Sequence, residues 1–292
     1  MPPCFKKILS VPQQRREKIL SIQTTPDPDN TQAPDPELQA VHAKLLTHAN
    51  IETLIGEGLR RSFDEVIDGP RTGRFRIEQL EKTEKTYIGT KVEIVLRNEL
   101  ALPRGHVLDN LIAGVEVDTK FSLTGSWMIP REALHQICLL VSGDDNSAKF
   151  SVGLLRMHPS MLTEGANQDS KKTVSAAGKK CITWLLHNKP MPRNFLLDLD
   201  SATRELIMSQ TSGVQRIRQL FLNVTGQLIP RTAIEQVAQQ KDPLRRARQM
   251  KDQLSAQGVQ VLCATYDADR NEFRRHGFTD FRADDWLSLP SK

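Results

Sequence analysis

Two short β-rich runs on either side of Ala113-Gly114 constrain the fold more than any other part of this sequence. If these two residues form a two-residue hairpin turn, residues at equal distances from the turn are paired, and Asp109 lies directly opposite Asp118. Because side chains alternate along a strand, Lys120 then lies on the same face as both aspartates, and Val117 lies on the other face. The sequence therefore predicts a hairpin that gathers two carboxylates and an amine on one face.

This polar face has the composition of a metal-dependent hydrolytic site. Like charges directly opposite each other destabilise a strand pair by up to roughly 1 kcal/mol, so a fold that keeps them favours a bound cation. Mg²⁺ prefers oxygen ligands and retains waters, one of which can attack a phosphodiester. We predict that Asp109 and Asp118 bind Mg²⁺, that Lys120 orients the water or offsets charge on the phosphate, and that Glu93 assists the metal or the water.

A simpler interpretation of the same residues remains open. Short D-x-K patterns are common, and the charges of a surface hairpin can merely face solvent and pair across the strands. Ala-Gly is also a weaker hairpin signal than Asn-Gly, and a bulge would shift the register and separate the two acids.

Helical and strand-like patterns around the hairpin predict an α+β domain. Apolar spacing predicts two helices between Glu37 and the turn at Asp68-Gly69-Pro70, and a third from about Lys85 to Leu100 that carries Glu93. β-rich runs follow at residues 106–112, 115–123, 137–142 and 149–157, separated by Gly, Pro, Asp and Asn. This order indicates a mixed, largely antiparallel sheet flanked by helices.

The length of 292 residues suits two domains of ordinary size. Residues 1–35 are rich in Pro and Asp and contain little that can be buried, so we predict a disordered N-terminal arm. Residues 164–180 are small and polar. They are predicted to form a linker between one domain at 36–163 and another at 181–292.

The net charge of +5 is concentrated in the second half, where residues 166–292 contain 20 Lys and Arg against 13 Asp and Glu. Such asymmetry favours a polyanion as the partner of that half, although a solvated basic surface remains an alternative. The apolar positions Ala247, Met250 and Leu254 predict a helix that begins near Pro243 and follows a helix over residues 231–240, as in a helix-turn-helix.

Outward-facing Arg and Gln residues make the later helix a candidate for reading bases in a DNA major groove, since these side chains form bidentate contacts with guanine and adenine. Residues 259–266 and 272–276 are predicted to pair as a basic wing that contacts phosphates. A basic amphipathic helix that packs on the first domain is the alternative. The predicted DNA-binding residues are Arg245, Arg246, Arg248, Gln249 and Lys251 on the helix and Arg270, Arg274 and Arg275 on the wing.

From about Phe63 to the C-terminus the sequence resembles the NaeI-type type II restriction endonucleases. The stretches that carry the resemblance are Thr72-Gly73-Arg74-Phe75, Lys82-Thr83-Glu84-Lys85-Thr86, Gly89-Thr90-Lys91-Val92-Glu93-Ile94, Val117-Asp118-Thr119-Lys120-Phe121-Ser122 and Gly125-Ser126-Trp127-Met128-Ile129-Pro130.

The resemblance assigns the family's helical acidic residue to Glu93, its first strand aspartate to Asp109, and its D-x-K pair to Asp118 and Lys120. It implies a PD-(D/E)xK core of the restriction-endonuclease type followed by a winged helix-turn-helix domain. It also implies a homodimer that cuts both strands of DNA with Mg²⁺, with the C-terminal domain binding a second copy of double-stranded DNA as effector.

Composition excludes other classes of protein. No run approaches the roughly 18 apolar residues of a membrane span, and no secretory-type apolar stretch follows the N-terminus. Cys4, Cys138, Cys181 and Cys263 are irregularly spaced and form no CxxC motif, which indicates a reduced, cytoplasmic protein. Two rival functions remain open: a non-catalytic winged-helix DNA-binding regulator, and a repair or nicking nuclease with the same core.

Overall fold

The computed structural model describes residues 35–165 and 170–291. The arm predicted over residues 1–35 lies outside these ranges, apart from Asp35. Residues Glu37–Lys292 form one compact unit. Within the described part of that unit, no helix is long and apolar enough to cross a membrane.

Among the described residues, four α-helices precede the first strand: α1 (Pro36–Leu45), α2 (Ile51–Ile67), the short α3 (Gly69–Thr72) and α4 (Lys82–Glu99). The predicted helices between Glu37 and Asp68, and the predicted third helix, are therefore confirmed. The third begins three residues earlier than expected, because the Glu84 carboxylate accepts the backbone N–H of Glu81 at 2.8 Å and closes the first turn. Arg74 holds the same carboxylate through two hydrogen bonds of 2.8 Å.

A mixed five-stranded sheet follows α4. The strands of this part of the chain are β1 (Asn110–Ile112), β2 (Val115–Ser122), β3 (Met128–Ile129), β4 (Ile137–Asp144), β5 (Lys149–Arg156), β6 (Lys172–Thr173) and β7 (Thr183–Pro190). The order in the sheet is β1-β2-β4-β5-β7, and neighbouring strands are antiparallel except for the parallel pair β2 and β4. Strands β3 and β6 pair with each other outside this sheet.

Apolar side chains cover both faces of this sheet. One hydrophobic core joins α2 and α4 to the strands through residues such as Phe63, Val92 and Val117. Another core, which includes Trp127 and Leu140, lies beneath the segments that connect the strands. The helix that carries Glu93 is therefore packed directly against the hairpin strands.

Two segments near the expected linker contain regular structure. Strand β7, assigned by the sequence to the C-terminal domain, pairs with β5 and buries Leu185 and Leu186 in the first core. The described part of the predicted linker over 164–180 contains β6 and the short helix α5 (Ala176–Lys180). Its small residues pack closely: a Cβ on Gly178 would lie 2.3 Å from the carbonyl oxygen of Met161. The described part of this polar stretch therefore contains regular structure and packs closely at Gly178.

The rest of the chain folds around its own core, which contains Phe221, Ile234 and Trp286. The elements of this region are α6 (Phe195–Asp198), α7 (Ser201–Met208), α8 (Gly213–Asn223), β8 (Leu228–Ile229), α9 (Arg231–Ala238), α10 (Pro243–Ser255), β9 (Val259–Cys263), α11 (Asp267–Arg275) and β10 (Trp286–Pro290). Strands β8, β10 and β9 form an antiparallel sheet in that order. The helices predicted over residues 231–240 and from Pro243 are confirmed as α9 and α10.

The predicted pairing of residues 259–266 with 272–276 as a wing is wrong. Strand β9 pairs with β10, and residues 267–275 form the helix α11. The helix is favoured because Asp267 and Asp269 occupy its first turn and Arg274 and Arg275 its last, where they complement the helix dipole. Phe273 on this helix is fully buried. The side-chain alternation of the predicted wing did not require this residue to be buried.

The C-terminal part of the chain contacts the part that contains the five-stranded sheet where α3 packs against α9. A Cβ on Gly69 would lie 2.8 Å from Cγ of Gln236, so only glycine permits this close approach. Arg282 also pairs with Glu57 of α2 at 2.8 Å. These contacts join α9 to α3, and the segment between α11 and β10 to α2.

Candidate active site

The hairpin turn has the geometry that brings Asp109 and Asp118 together. Ala113 and Gly114 have φ values of 52° and 78°, both in the left-handed region, as a type I′ turn requires. The register pairs Asn110 with Val117, Leu111 with Glu116 and Ile112 with Val115. The predicted register is therefore confirmed. Asp109, one residue before β1, continues it towards Asp118.

Asp109 contacts acidic groups from two other elements. Its Oδ2 accepts the backbone N–H of Thr119 at 2.7 Å, which fixes the carboxylate against β2. Its side chain also lies within hydrogen-bonding distance of Asp118 and Glu93. The structure thus brings together the three acids that the sequence placed on a helix and on two strands.

Burial and charge make Asp118 an unusual carboxylate. Only 6% of the residue is exposed. Burial, followed by the hydrogen bond that protonated Asp118 donates to the Asp109 carboxylate, raises the pKa of Asp118 to about 6, and Lys120 partly opposes this rise. Because the Asp109 carboxylate lies beside it, a further positive charge close to both residues would stabilise the ionised form of Asp118.

Lys120 supplies one positive charge to this cluster. Its Nζ donates to Oδ2 of Asp118 at 2.7 Å. Burial alone would lower the pKa of Lys120, but the hydrogen bond to Asp118 and the negative charges of Asp118 and Asp109 outweigh it and raise that pKa. Lys120 is therefore a protonated amine at neutral pH.

Glu93 reaches the hairpin from α4. Burial, and next the charge of Asp109, raise the pKa of Glu93, while Arg97 lowers it. Arg97 Nη2 donates to Glu93 Oε1 at 2.6 Å, and Arg97 Nε donates to Oδ1 of Asn110 on β1 at 3.1 Å. The sequence analysis did not identify Arg97, although its position one helical turn after Glu93 places both on the same helix face.

Glu116 is a second residue that the sequence analysis missed. Its carboxylate accepts the backbone N–H groups of His106, Val107 and Leu108 at 2.7, 3.3 and 2.8 Å. These hydrogen bonds, that of Leu108 first, lower the pKa of Glu116. Glu116 therefore holds the loop that leads into Asp109. Strand alternation was the available signal, since Glu116 lies on the same face of β2 as Asp118.

The donor set can be compared with the preferences of Mg²⁺. Among residues 35–165 and 170–291, no three His, Cys, Asp or Glu side chains are arranged to hold a metal ion between them. Asp109 and Asp118 are nevertheless two oxygen donors in mutual contact, and Mg²⁺ is commonly held by one or two carboxylates while it retains several waters. The pair therefore fits a magnesium ion whose remaining ligands are waters or phosphate oxygens.

The predicted DNA-binding residues of α10 differ in how far they are available to a partner. The exposed side chains are those of Arg245, Arg246, Arg248 and Gln249. The Lys251 ammonium is engaged within the protein, because it pairs with Asp269 at 2.5 Å and lies over the rings of Tyr266 and Trp286.

The three arginines predicted on the wing lie on α11 instead. Arg270 pairs with Asp267 and donates to the carbonyl of Ala264, whereas Arg275 pairs with Glu272. The guanidinium of Arg274 lies over the ring of Phe281. These contacts orient all three side chains along the surface of a helix.

Comparisons with known proteins show the family to which the chain belongs. The family described as "Restriction endonuclease NaeI" matches residues 41–287, which include α4, the hairpin and the C-terminal helices. The type II restriction enzyme NaeI of Lentzea aerocolonigenes is 38% identical over 224 residues, which cover 74% of this chain and 70% of that relative. The chain therefore belongs to the NaeI family of restriction endonucleases.

Proposed function

We propose that this restriction endonuclease hydrolyses both strands of a specific DNA duplex in a Mg²⁺-dependent reaction, at a site formed by Glu93, Asp109, Asp118 and Lys120. The observation that carries the proposal is the hairpin register, which sets Asp109 towards Asp118 while Lys120 pairs with the same carboxylate. Two opposed acids with an adjacent amine suit a phosphodiester better than a neutral substrate.

Each residue has a role that follows from its contacts. Asp109 and Asp118 would hold Mg²⁺, which supplies Lewis acidity and an activated water when bound. Lys120, whose Nζ donates to Oδ2 of Asp118, would act as a hydrogen-bond donor to the phosphate or to the attacking water. Glu93, held by Arg97, accepts a hydrogen bond from water or completes the metal shell.

The C-terminal region is proposed to bind DNA through a winged-helix-type arrangement. Helices α8, α10 and α11 contact strand β9 of the three-stranded antiparallel sheet. The exposed residues of α10 include three arginines and Gln249. We propose that Arg245, Arg246, Arg248 and Gln249 contact one duplex, and that Arg270, Arg274 and Arg275 on α11 contact its phosphates. Lys251 is left out of this surface because Asp269 and the two aromatic rings engage its ammonium.

Two further properties complete the proposal. Double-strand cleavage at one specific sequence is most simply achieved by a homodimer with one site in each subunit. The C-terminal region would then bind a second copy of the recognition sequence as effector. Sedimentation gives the subunit number, and stimulation of cleavage by an added oligonucleotide that carries the sequence tests the effector.

Plasmid cleavage tests the central claim. With Mg²⁺, supercoiled plasmid should become linear fragments whose sequenced ends share one motif, and EDTA or Asp118→Asn should stop the reaction. A product that remains nicked would show that only one strand is cut. Specific binding with no cleavage under any divalent cation would contradict the proposal and indicate a DNA-binding regulator.

A further inference from the structure

Arg97 makes hydrogen bonds to two different elements that carry the proposed site. Its Nη2 lies 2.6 Å from Oε1 of Glu93 on the same helix, and its Nε lies 3.1 Å from Oδ1 of Asn110 on β1. An ordinary ion pair between residues four apart on a helix stabilises that helix alone. The contact of Arg97 with β1 differs, because it fixes α4 relative to the hairpin.

The chain of hydrogen bonds continues from Asn110 to the other strand. Asn110 is 1% exposed, and its Nδ2 donates to Oγ1 of Thr119 at 2.8 Å. The backbone N–H of Thr119 in turn donates to Oδ2 of Asp109 at 2.7 Å. A buried amide must have its polar atoms satisfied, so Arg97 and Thr119 together fix the orientation of Asn110. The chain thus links Glu93 to Asp109 through Arg97, Asn110 and Thr119.

Charge distribution supports a role for Arg97 beyond packing. The cluster contains three carboxylates in contact, Glu93, Asp109 and Asp118. Lys120 neutralises charge on the strand side, where it pairs with Asp118. Arg97 neutralises charge on the helix side, where it pairs with Glu93. Without Arg97, Glu93 would be repelled by Asp109 and would move away from the hairpin.

We propose that Arg97 is a positioning residue that holds the Glu93 carboxylate beside Asp109 in the candidate active site. This inference rests on the proposed function. Arg97 acts through Glu93 and Asn110, so its removal should lower the cleavage rate and the affinity for the divalent cation and leave the affinity for DNA nearly unchanged.

The test compares Arg97→Met, Arg97→Lys and a control, Arg61→Met. Arg61 also pairs with a glutamate of α4, Glu99 at 2.7 Å. Within the described residues it forms no ion pair with Glu93, Asp109 or Asp118. Replacing a residue that orients a metal ligand typically lowers metal affinity or activity by about 10- to 100-fold. Arg97→Met should therefore lower kcat, and raise the half-saturating Mg²⁺ concentration, by about 10- to 100-fold. KM for DNA should change less than about threefold. Arg97→Lys should recover part of the loss, since an ammonium can still reach Glu93.

Two readouts separate positioning from a merely structural role. Titration calorimetry with Ca²⁺ or Mg²⁺ in the absence of DNA should show weaker binding for Arg97→Met and unchanged binding for Arg61→Met. In a Glu93→Gln background, Arg97→Met should have little further effect, because residues that act as a unit are not additive. Circular dichroism and thermal unfolding confirm that each variant is folded.

Several outcomes would overturn the inference. Wild-type kcat and cation binding in Arg97→Met would do so, as would additive losses in the double variant. A raised KM with unchanged kcat would instead show that Arg97 binds DNA. If the wild-type protein neither cleaves DNA nor binds divalent cations, the proposed function itself fails, and that result is distinct from an Arg97 variant that matches an active wild type.

Discussion

The Nζ atom of Lys120 lies 2.7 Å from Oδ2 of Asp118, two residues earlier on the same strand. The pair is mostly buried, and Asp109 approaches the same carboxylate from across the hairpin. One ammonium therefore faces two acids. This imbalance of charge makes the hairpin a site for a further cation, and it leads to the first two predictions.

Asp118→Asn should abolish cleavage while leaving DNA binding intact. The amide keeps the shape of the side chain but removes the charge that binds the cation and pairs with Lys120, so the single-turnover cleavage rate should fall by 100-fold or more. Asp280→Asn, at an exposed position far along the chain, is the matched control and should cleave normally. Gel-shift measurements in Ca²⁺ check that the Asp118 variant still binds DNA.

The raised pKa of Asp118 predicts a pH-dependent stability in the absence of divalent cations. The folded pKa of about 6 exceeds the value of roughly 3.9 for an unfolded aspartate, so the folded state favours the protonated form. The resulting stabilisation is complete below the unfolded pKa and is lost as pH rises from about 4 to about 6, by an amount on the order of 2 to 3 kcal/mol.

Urea unfolding of the wild type and of Asp118→Asn, in EDTA between pH 4 and 8, measures this effect. The stability of the wild type relative to the variant should fall across that window and level off above pH 7. Binding of Mg²⁺ at pH 6 should also release protons, as calorimetry in two buffers can show. Parallel stability curves for the two proteins would contradict the assignment.

Glu116 should keep the loop before Asp109 ordered. Its three backbone hydrogen bonds lower its pKa, so the stabilisation that it provides is present above the unfolded pKa and is lost as pH falls. Glu116→Ala should increase amide hydrogen exchange at residues 106–108 and slow cleavage, whereas Glu116→Gln, which retains one acceptor, should have a smaller effect. Unchanged exchange at these three amides in Glu116→Ala would refute this role.

The exposed arginines of α10 should contribute separately to the affinity for DNA. Alanine at a position that contacts phosphate should weaken binding to all sequences and reduce the slope of log K against log salt by about 1. Alanine at a position that contacts a base should cost about 1–3 kcal/mol and relax specificity at that base pair. Binding isotherms at several salt concentrations for Arg245→Ala, Arg246→Ala and Arg248→Ala distinguish the two cases.

Lys251→Met serves as the comparison for these variants. Lys251 faces Asp269, Tyr266 and Trp286, so its replacement should lower the unfolding temperature and leave the salt slope unchanged. A reduced salt slope in Lys251→Met would place this residue on the DNA-binding surface after all.

The local parts of the site were predictable because short-range geometry determines them. A two-residue turn at Ala113-Gly114 leaves one register, and strand alternation then decides which side chains share a face. Glu93 was found through helical spacing and the family resemblance. Arg97 was missed because nothing in the spacing of the sequence indicates that Asn110 would be its second partner.

The errors arose where distant segments decide the structure. Residues 183–190 were assigned to the C-terminal domain because the polar stretch before them looked like a linker, yet their partner is β5. Similarly, residues 259–266 and 272–276 form no hairpin because β10, more than ten residues further along the chain, pairs with β9 instead. In both cases non-local pairing overrode the local pattern.

The hydrogen bonds of Glu116 reach the 106–108 segment only through its main chain, and the Val107 side chain is 84% exposed. Almost any residue other than proline can supply the same N–H groups. The amino acids at 106 and 107 can therefore diverge among relatives without displacing Asp109, and this stretch is where new contacts with a substrate can evolve at little cost to the chemistry beside it.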